Sequence, residues 1–170
     1  MPDRDRPSGW SQPVALLPKA LLEPLNVPRS VVLGWLTAIV PSILLSFLVA
    51  KLLPTLGQPE LALDTGTALF LVAVAAPVIE TLIMAGVLAV LLRFLPPTAA
   101  VLASAAGWGI AHSLAAPAWG LVIWWPFLIF STLYVTWRRR SLLAALAVPA
   151  SVHMMQNTAP VLLLASGVTG

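Results

Sequence analysis

Three ionisable side chains, Glu80, His112 and His153, lie within the long apolar stretches of this sequence. Asn157 follows His153 by four residues, so both side chains project from one face of a helix. Burying a carboxylate or an imidazole in a bilayer is costly, and such residues usually mark a functional interior. A carboxylate beside a histidine can activate water, while donors such as His153 and Asn157 can stabilise an oxyanion. We therefore predict proton transfer or metal ligation here.

The composition indicates a polytopic membrane protein. Of 170 residues, 59% are hydrophobic and only 9% are charged, and the mean hydropathy is +0.96. In soluble domains about a quarter of all residues are charged. We predict an all-α bundle of about five transmembrane helices, each near the roughly 20 residues that a bilayer requires. The predicted spans are 31–53, 67–95, 97–115, 119–137 and 141–165.

The chain is predicted to contain one folded domain, residues 31–170, after a polar N-terminal segment, residues 1–30. Within that segment, residues 14–25 are expected to form a short amphipathic helix at the membrane surface or to be disordered. The absence of cysteine excludes disulfides, thiolate metal sites and a cysteine nucleophile. The net charge of +3 does not indicate nucleic-acid binding. The expected partners are membrane lipids and a membrane-associated protein or peptide, and the sequence leaves the oligomeric state open.

The basic residues predict the orientation. The positive-inside rule predicts a cytoplasmic N-terminus, because this orientation leaves only Lys51 outside. The C-terminus is then expected to be external. Trp119 and Trp137 are expected to bracket the fourth span at the two membrane interfaces. The expected location is the plasma membrane. The other Lys and Arg then lie inside: Arg4, Arg6, Lys19, Arg29, Arg93, Arg138, Arg139 and Arg140.

With this orientation, the three ionisable residues share one depth. Glu80, His112 and His153 lie about 20, 22 and 18 Å from the cytoplasmic edge, at 1.5 Å per helical residue. Pro77 and Pro149, just before Glu80 and His153, each remove a backbone hydrogen bond and free a carbonyl one turn back. Small residues in the third span are expected to allow close helix contact near His112: Ser104, Ala105, Gly107 and Gly109.

Three motifs resemble those of the CAAX prenyl protease type II and bacteriocin-immunity family, also called the CPBP or Abi family. APVIETLIMAGVL at 76–88 resembles its first motif, A-P-x-x-E-E-x-x-F-R-G. WGIAH at 108–112 is similar to the second, an aromatic residue four positions before a histidine, and HMMQN at 153–157 matches the third, H-x-x-x-N. The resemblance covers about residues 67–160.

The resemblance implies an intramembrane peptidase. It makes Glu80 the general base and His112 a residue that holds the attacking water, while His153 and Asn157 stabilise the oxyanion. Prenylated CAAX proteins are the best-known substrates of the family. The chain departs from the motif at Thr81 and Ala85, where the family has its second glutamate and its arginine.

Three alternatives remain open from the sequence. The first is a non-catalytic immunity, binding or scaffold protein, which the changes at Thr81 and Ala85 favour. The second is a proton-coupled transporter, although five helices show no evident inverted repeat. The third is a catalytic zinc site, because one glutamate and two histidines match a zinc ligand set. No H-E-x-x-H is present, so we predict no cofactor, without excluding a divalent metal.

Overall fold

The computed structural model describes residues 10–57 and 64–166. Within these two ranges the chain is helical and contains no strand, which confirms the predicted all-α class. A 3₁₀ turn, Val14–Leu16, precedes the helices. The helices are α1 (Lys19–Leu22), α2 (Val27–Leu52), α3 (Thr65–Leu91), α4 (Pro97–Ala115), α5 (Pro117–Trp137) and α6 (Leu142–Ala165).

The long helices form the expected polytopic bundle. In the part of the chain that the structure describes, α2, α3, α4 and α5 are long and apolar enough to cross a membrane. Helix α6 has 24 residues and is not among those four, so four of the five predicted spans meet both criteria. It packs against α2, α3 and α5, which makes it an integral part of the bundle.

Local capping explains where the helices begin and end. Asn26 accepts a hydrogen bond from the Arg29 N–H, so α2 begins four residues before the predicted position 31. Asp64 caps α3 in the same way by accepting from the Thr67 N–H, and hydrogen bonds from Thr67 hold the pKa of this exposed carboxyl below its usual value. Helix α3 ends at Leu91 rather than at 95, because the chain turns before Pro96 and Pro97.

Helix α5 is the centre of the bundle. In its most apolar stretch 61% of the residues are buried, against 22–33% in α2, α3 and α4. It packs most extensively on α4 and also on α2 and α6. Inside this interface the Ser131 hydroxyl donates to the Ser104 hydroxyl over 3.0 Å, which satisfies two buried polar groups together.

Two glycines allow α4 and α5 to cross closely. A Cβ at Gly109 would lie 3.0 Å from the Trp124 Cβ, and a Cβ at Gly120 would collide with the Ser113 side chain and the Gly109 carbonyl. Gly107 is exposed, and a Cβ there would meet nothing within 4 Å. The predicted role in helix contact is therefore correct for Gly109 and wrong for Gly107.

The N-terminal arm, residues 10–25, packs on the protein. Trp10, Val14 and Leu22 are buried against apolar residues of α4 and α5, and Leu21 enters the main core. The arm is also tied by hydrogen bonds. The Thr136 hydroxyl donates to the Leu21 carbonyl over 2.8 Å, and further bonds join Ser30 to Ala20 and Ser11 to Thr98. The apolar face expected at the membrane surface is thus covered largely by the bundle, while residues 1–9 lie outside the described part.

Trp137 is the last residue of α5 and packs inside the protein. Its side chain is only 2% exposed and belongs to the main core. At this end of the span the ring therefore contacts protein rather than forming an exposed aromatic belt. The N-terminal arm contributes to the burial of Trp137, because Leu21 of the arm lies in the same core cluster.

Candidate active site

Glu80 and His153 meet between α3 and α6. The Glu80 Oε2 and His153 Nε2 atoms are 3.5 Å apart, which is within ion-pair reach but long for a strong hydrogen bond. The His153 side chain is 3% exposed and the Glu80 side chain 25% exposed. The pair therefore combines a buried imidazole with a carboxylate that remains accessible. Their meeting agrees with the equal depths predicted for these residues.

Aromatic rings fix the orientation of His153. Phe130 stacks on the imidazole with 4.5 Å between ring centroids, and Phe127 meets it edge-on at 5.2 Å. The His153 Nδ1 atom is buried and has no hydrogen-bond partner among the described residues. Rotation of the imidazole is restricted by these rings, so Nε2 is held toward Glu80.

His112 also contacts Phe127. Its ring centroid is 5.6 Å from that of Phe127, and Trp119 packs edge-on against it at 5.0 Å. Nδ1 of His112 is 2.9 Å from the Trp108 carbonyl oxygen. Because a carbonyl can only accept, Nδ1 carries the hydrogen, and in the neutral ring Nε2 is then an acceptor. Such an acceptor suits a residue that holds a water molecule.

Asn157 is directed at the backbone of α3. Its Nδ2 atom donates to the Val72 carbonyl over 3.0 Å. Val72 lies in Leu71–Ala75, a π-helical segment within α3 that ends just before Pro77. The structure thus brings Glu80 and His153 into contact, places His112 and His153 against the same ring, Phe127, and engages Asn157 with the main chain.

The two departures from the family motif face the protein interior. Thr81 is 2% exposed, and its hydroxyl has no hydrogen-bond partner among the described residues. Ala85 follows one turn later and is 8% exposed. A glutamate and an arginine would form an i, i+4 pair at these positions. The chain therefore carries only one carboxylate, Glu80, at this turn of α3.

The side chains that could ligate a metal ion give limited support for a metal site. Within the described ranges, no group of three His, Cys, Asp or Glu side chains is placed to hold a metal ion. We therefore derive no step of the reaction through one.

Comparison with known families decides the classification. The model of the Rce1-like type II CAAX prenyl endopeptidase family matches residues 63–159, more than half of the chain. This chain belongs to that family. No curated protein and no solved structure gives a significant match. As a member of the Rce1-like family, the chain is classed with membrane peptidases, and the match covers Glu80, His112, His153 and Asn157.

Sequence reasoning missed the groups that orient the site. Phe127 and Phe130 hold the His153 ring, and the Val72 carbonyl engages Asn157. Pro77 was a visible signal of a freed carbonyl nearby. The π-helical register of Leu71–Ala75 leaves the Val72 carbonyl without its usual backbone donor. This register has no comparable signature in the sequence.

Proposed function

We propose that this Rce1-like protein is an intramembrane endopeptidase that hydrolyses a peptide bond of a membrane-associated protein or peptide. The observation that carries the proposal is the Glu80–His153 contact at 3.5 Å inside an apolar bundle of this family. Such a pair is costly within a membrane and needs a functional reason.

The proposed reaction uses Glu80 as general base. Glu80 accepts a proton from water as the water oxygen bonds to the carbonyl carbon of the peptide. His112 Nε2 accepts the other hydrogen of that water in a hydrogen bond and so orients it. His153 and the second N–H of Asn157 stabilise the oxyanion. The C–N bond then breaks, and the proton held by Glu80 passes to the leaving amine.

Substitution of Glu80 tests the proposal. The purified chain in lipid vesicles is mixed with an internally quenched peptide that ends in a farnesylated CAAX sequence. In parallel, new peptide termini are mapped by mass spectrometry in membranes of cells making each variant. We expect Glu80→Gln to lower the cleavage rate about a hundredfold or more, and His112→Ala to abolish detectable cleavage.

Glu23→Gln is the matched control, because it makes the same chemical change in the N-terminal arm. It should keep the wild-type rate. Thermal unfolding of each variant separates lost chemistry from lost folding. Undiminished cleavage by folded Glu80→Gln would overturn the mechanism.

A second candidate is a non-catalytic protein that uses the same pocket to bind a partner, as an immunity or scaffold protein does. The buried Thr81 and Ala85 favour it, since the usual supporting carboxylate and its cationic partner are both replaced. This candidate requires that Glu80→Gln, which is nearly isosteric, preserve the biological effect of the protein in cells. Loss of that effect together with loss of the new peptide termini would exclude it.

A further inference from the structure

Helix α3 departs from regular α-helical hydrogen bonding just before Glu80. The Ala76 N–H donates to the Leu71 carbonyl, five residues back. In an α-helix it would donate to Val72 instead. The next residue, Pro77, has no N–H to donate. The Val72 carbonyl is therefore left without these two backbone donors.

Asn157 supplies the missing donor from α6, through the 3.0 Å bond from its Nδ2 atom. A carbonyl without a partner is costly inside a bilayer, where water is scarce. Other polar side chains of α6 behave differently, because the Ser151 and Thr158 hydroxyls donate to carbonyls of α6 itself. Asn157 thus makes a specific link between the two helices that carry the Glu80–His153 pair.

The register of the π-helical segment determines the direction in which the side chains of α3 after the segment point. One residue more or less rotates the parts of a helix on either side by about 100° relative to each other. Asn157 and His153 are one turn apart on α6, and they contact α3 on opposite sides of Pro77, at Val72 and at Glu80. One of these contacts lies within the π-helical segment and the other lies after it. Together they constrain its register and the rotation of the part of α3 that carries Glu80.

We infer that Asn157 has a positioning role in addition to its proposed contact with the oxyanion: its bond to Val72 holds α3 in the π-helical register so that Glu80 faces His153. As a statement about catalysis, this inference rests on the proposed function. As a statement about geometry, it can be tested without any substrate, so its failure can be distinguished from failure of the hydrolase proposal.

Cross-linking measures the geometry directly, because the chain has no native cysteine. Cysteines replace Glu80 and His153, and a short bis-methanethiosulfonate reagent joins them in the vesicle-reconstituted protein. Ser104→Cys with Ser131→Cys is the control pair between α4 and α5, where the two hydroxyls are 3.0 Å apart. Asn157→Leu should slow cross-linking of the first pair about fivefold or more and leave the control pair unchanged.

Two further variants sharpen the test. Thr158→Val is the matched control on α6, and it should leave both pairs unchanged, because Thr158 bonds within its own helix. Pro77→Ala combined with Asn157→Leu should restore the rate, because residue 77 then has an N–H that can donate to Val72 in the π register.

An unchanged rate in Asn157→Leu, or no restoration by Pro77→Ala, would overturn the inference. Equal slowing of both pairs in Asn157→Leu and in Asn157→Ala would show a general packing role and would overturn it as well.

Discussion

The two imidazoles of this bundle are held in different ways. His153 is fixed by stacking on Phe130 and contact with Phe127, whereas His112 is fixed by the hydrogen bond from Nδ1 to the Trp108 carbonyl. One therefore depends on packing and the other on its own helix. Thr81 follows Glu80 directly in the sequence, and its buried hydroxyl is not hydrogen-bonded within the described residues.

Thr81 is expected to tolerate loss of its hydroxyl. Thr81→Val keeps the shape and removes a buried polar group that lacks a partner, so the free energy of unfolding should stay constant or rise by up to about 1 kcal/mol. Thr136→Val removes a bond to the Leu21 carbonyl, and it should lower that free energy by about 1 kcal/mol. Denaturant unfolding in detergent measures both. Equal destabilisation by the two changes would contradict the assignment of Thr81.

At the scale of elements, the α4–α5 crossing decides where His112 lies. The close approach at Gly109 and Gly120 brings the C-terminal half of α4 onto α5, where the rings of His112 and His153 both contact Phe127. A single residue, Ala116, connects the two helices, so they are held close at this end as well. The position of His112 thus depends on a close backbone contact between α4 and α5, which any residue larger than glycine at position 120 would disturb.

Alanine substitutions should distinguish the two kinds of glycine in α4 and α5. Gly120→Ala places a methyl group into the Gly109 carbonyl and the Ser113 side chain, and it should lower the free energy of unfolding by about 1–3 kcal/mol. Gly107→Ala fills open space in a helix interior, so it should be neutral or raise stability by about 0.5–1 kcal/mol. Thermal unfolding monitored by tryptophan fluorescence checks both. A harmless Gly120→Ala would refute the close crossing.

At the scale of the whole molecule, the basic turn Arg138 to Arg140 and the N-terminal arm lie at the same end of the bundle. The arm contacts the beginning of α4 through Thr98 and the end of α5 through Thr136. The exposed turn Arg138 to Arg140 follows directly after α5. From the positive-inside rule we propose that this end is cytoplasmic. The Glu80–His153 pair then lies near the middle of the membrane, because Glu80 is 11 residues before Leu91 and His153 is 11 residues after Leu142.

Single cysteines test this orientation in the cysteine-free chain. Thr55→Cys, in the exposed turn after α2, should react with a membrane-impermeant maleimide added to intact cells or spheroplasts. Arg139→Cys should react only after the membrane is permeabilised. Both positions are exposed in the structure, so accessibility to solvent is matched. The opposite labelling pattern would reverse the proposed topology.

Hydropathy and motif spacing were enough to predict the helical class, the approximate positions of the long helices, the family and the similar depth of Glu80 and His153. These features depend on local sequence, because a helix long enough to cross a bilayer and residues one turn apart can be read along the chain. The tertiary structure decided that Trp137 is buried, that Gly107 faces open space and that Asn157 donates to Val72.

The physical reason is that lipid tails are as apolar as a protein interior, so hydropathy does not distinguish a face that packs on protein from one that meets lipid. The partner of a polar side chain depends on helix rotation, which packing and the π-helical segment determine.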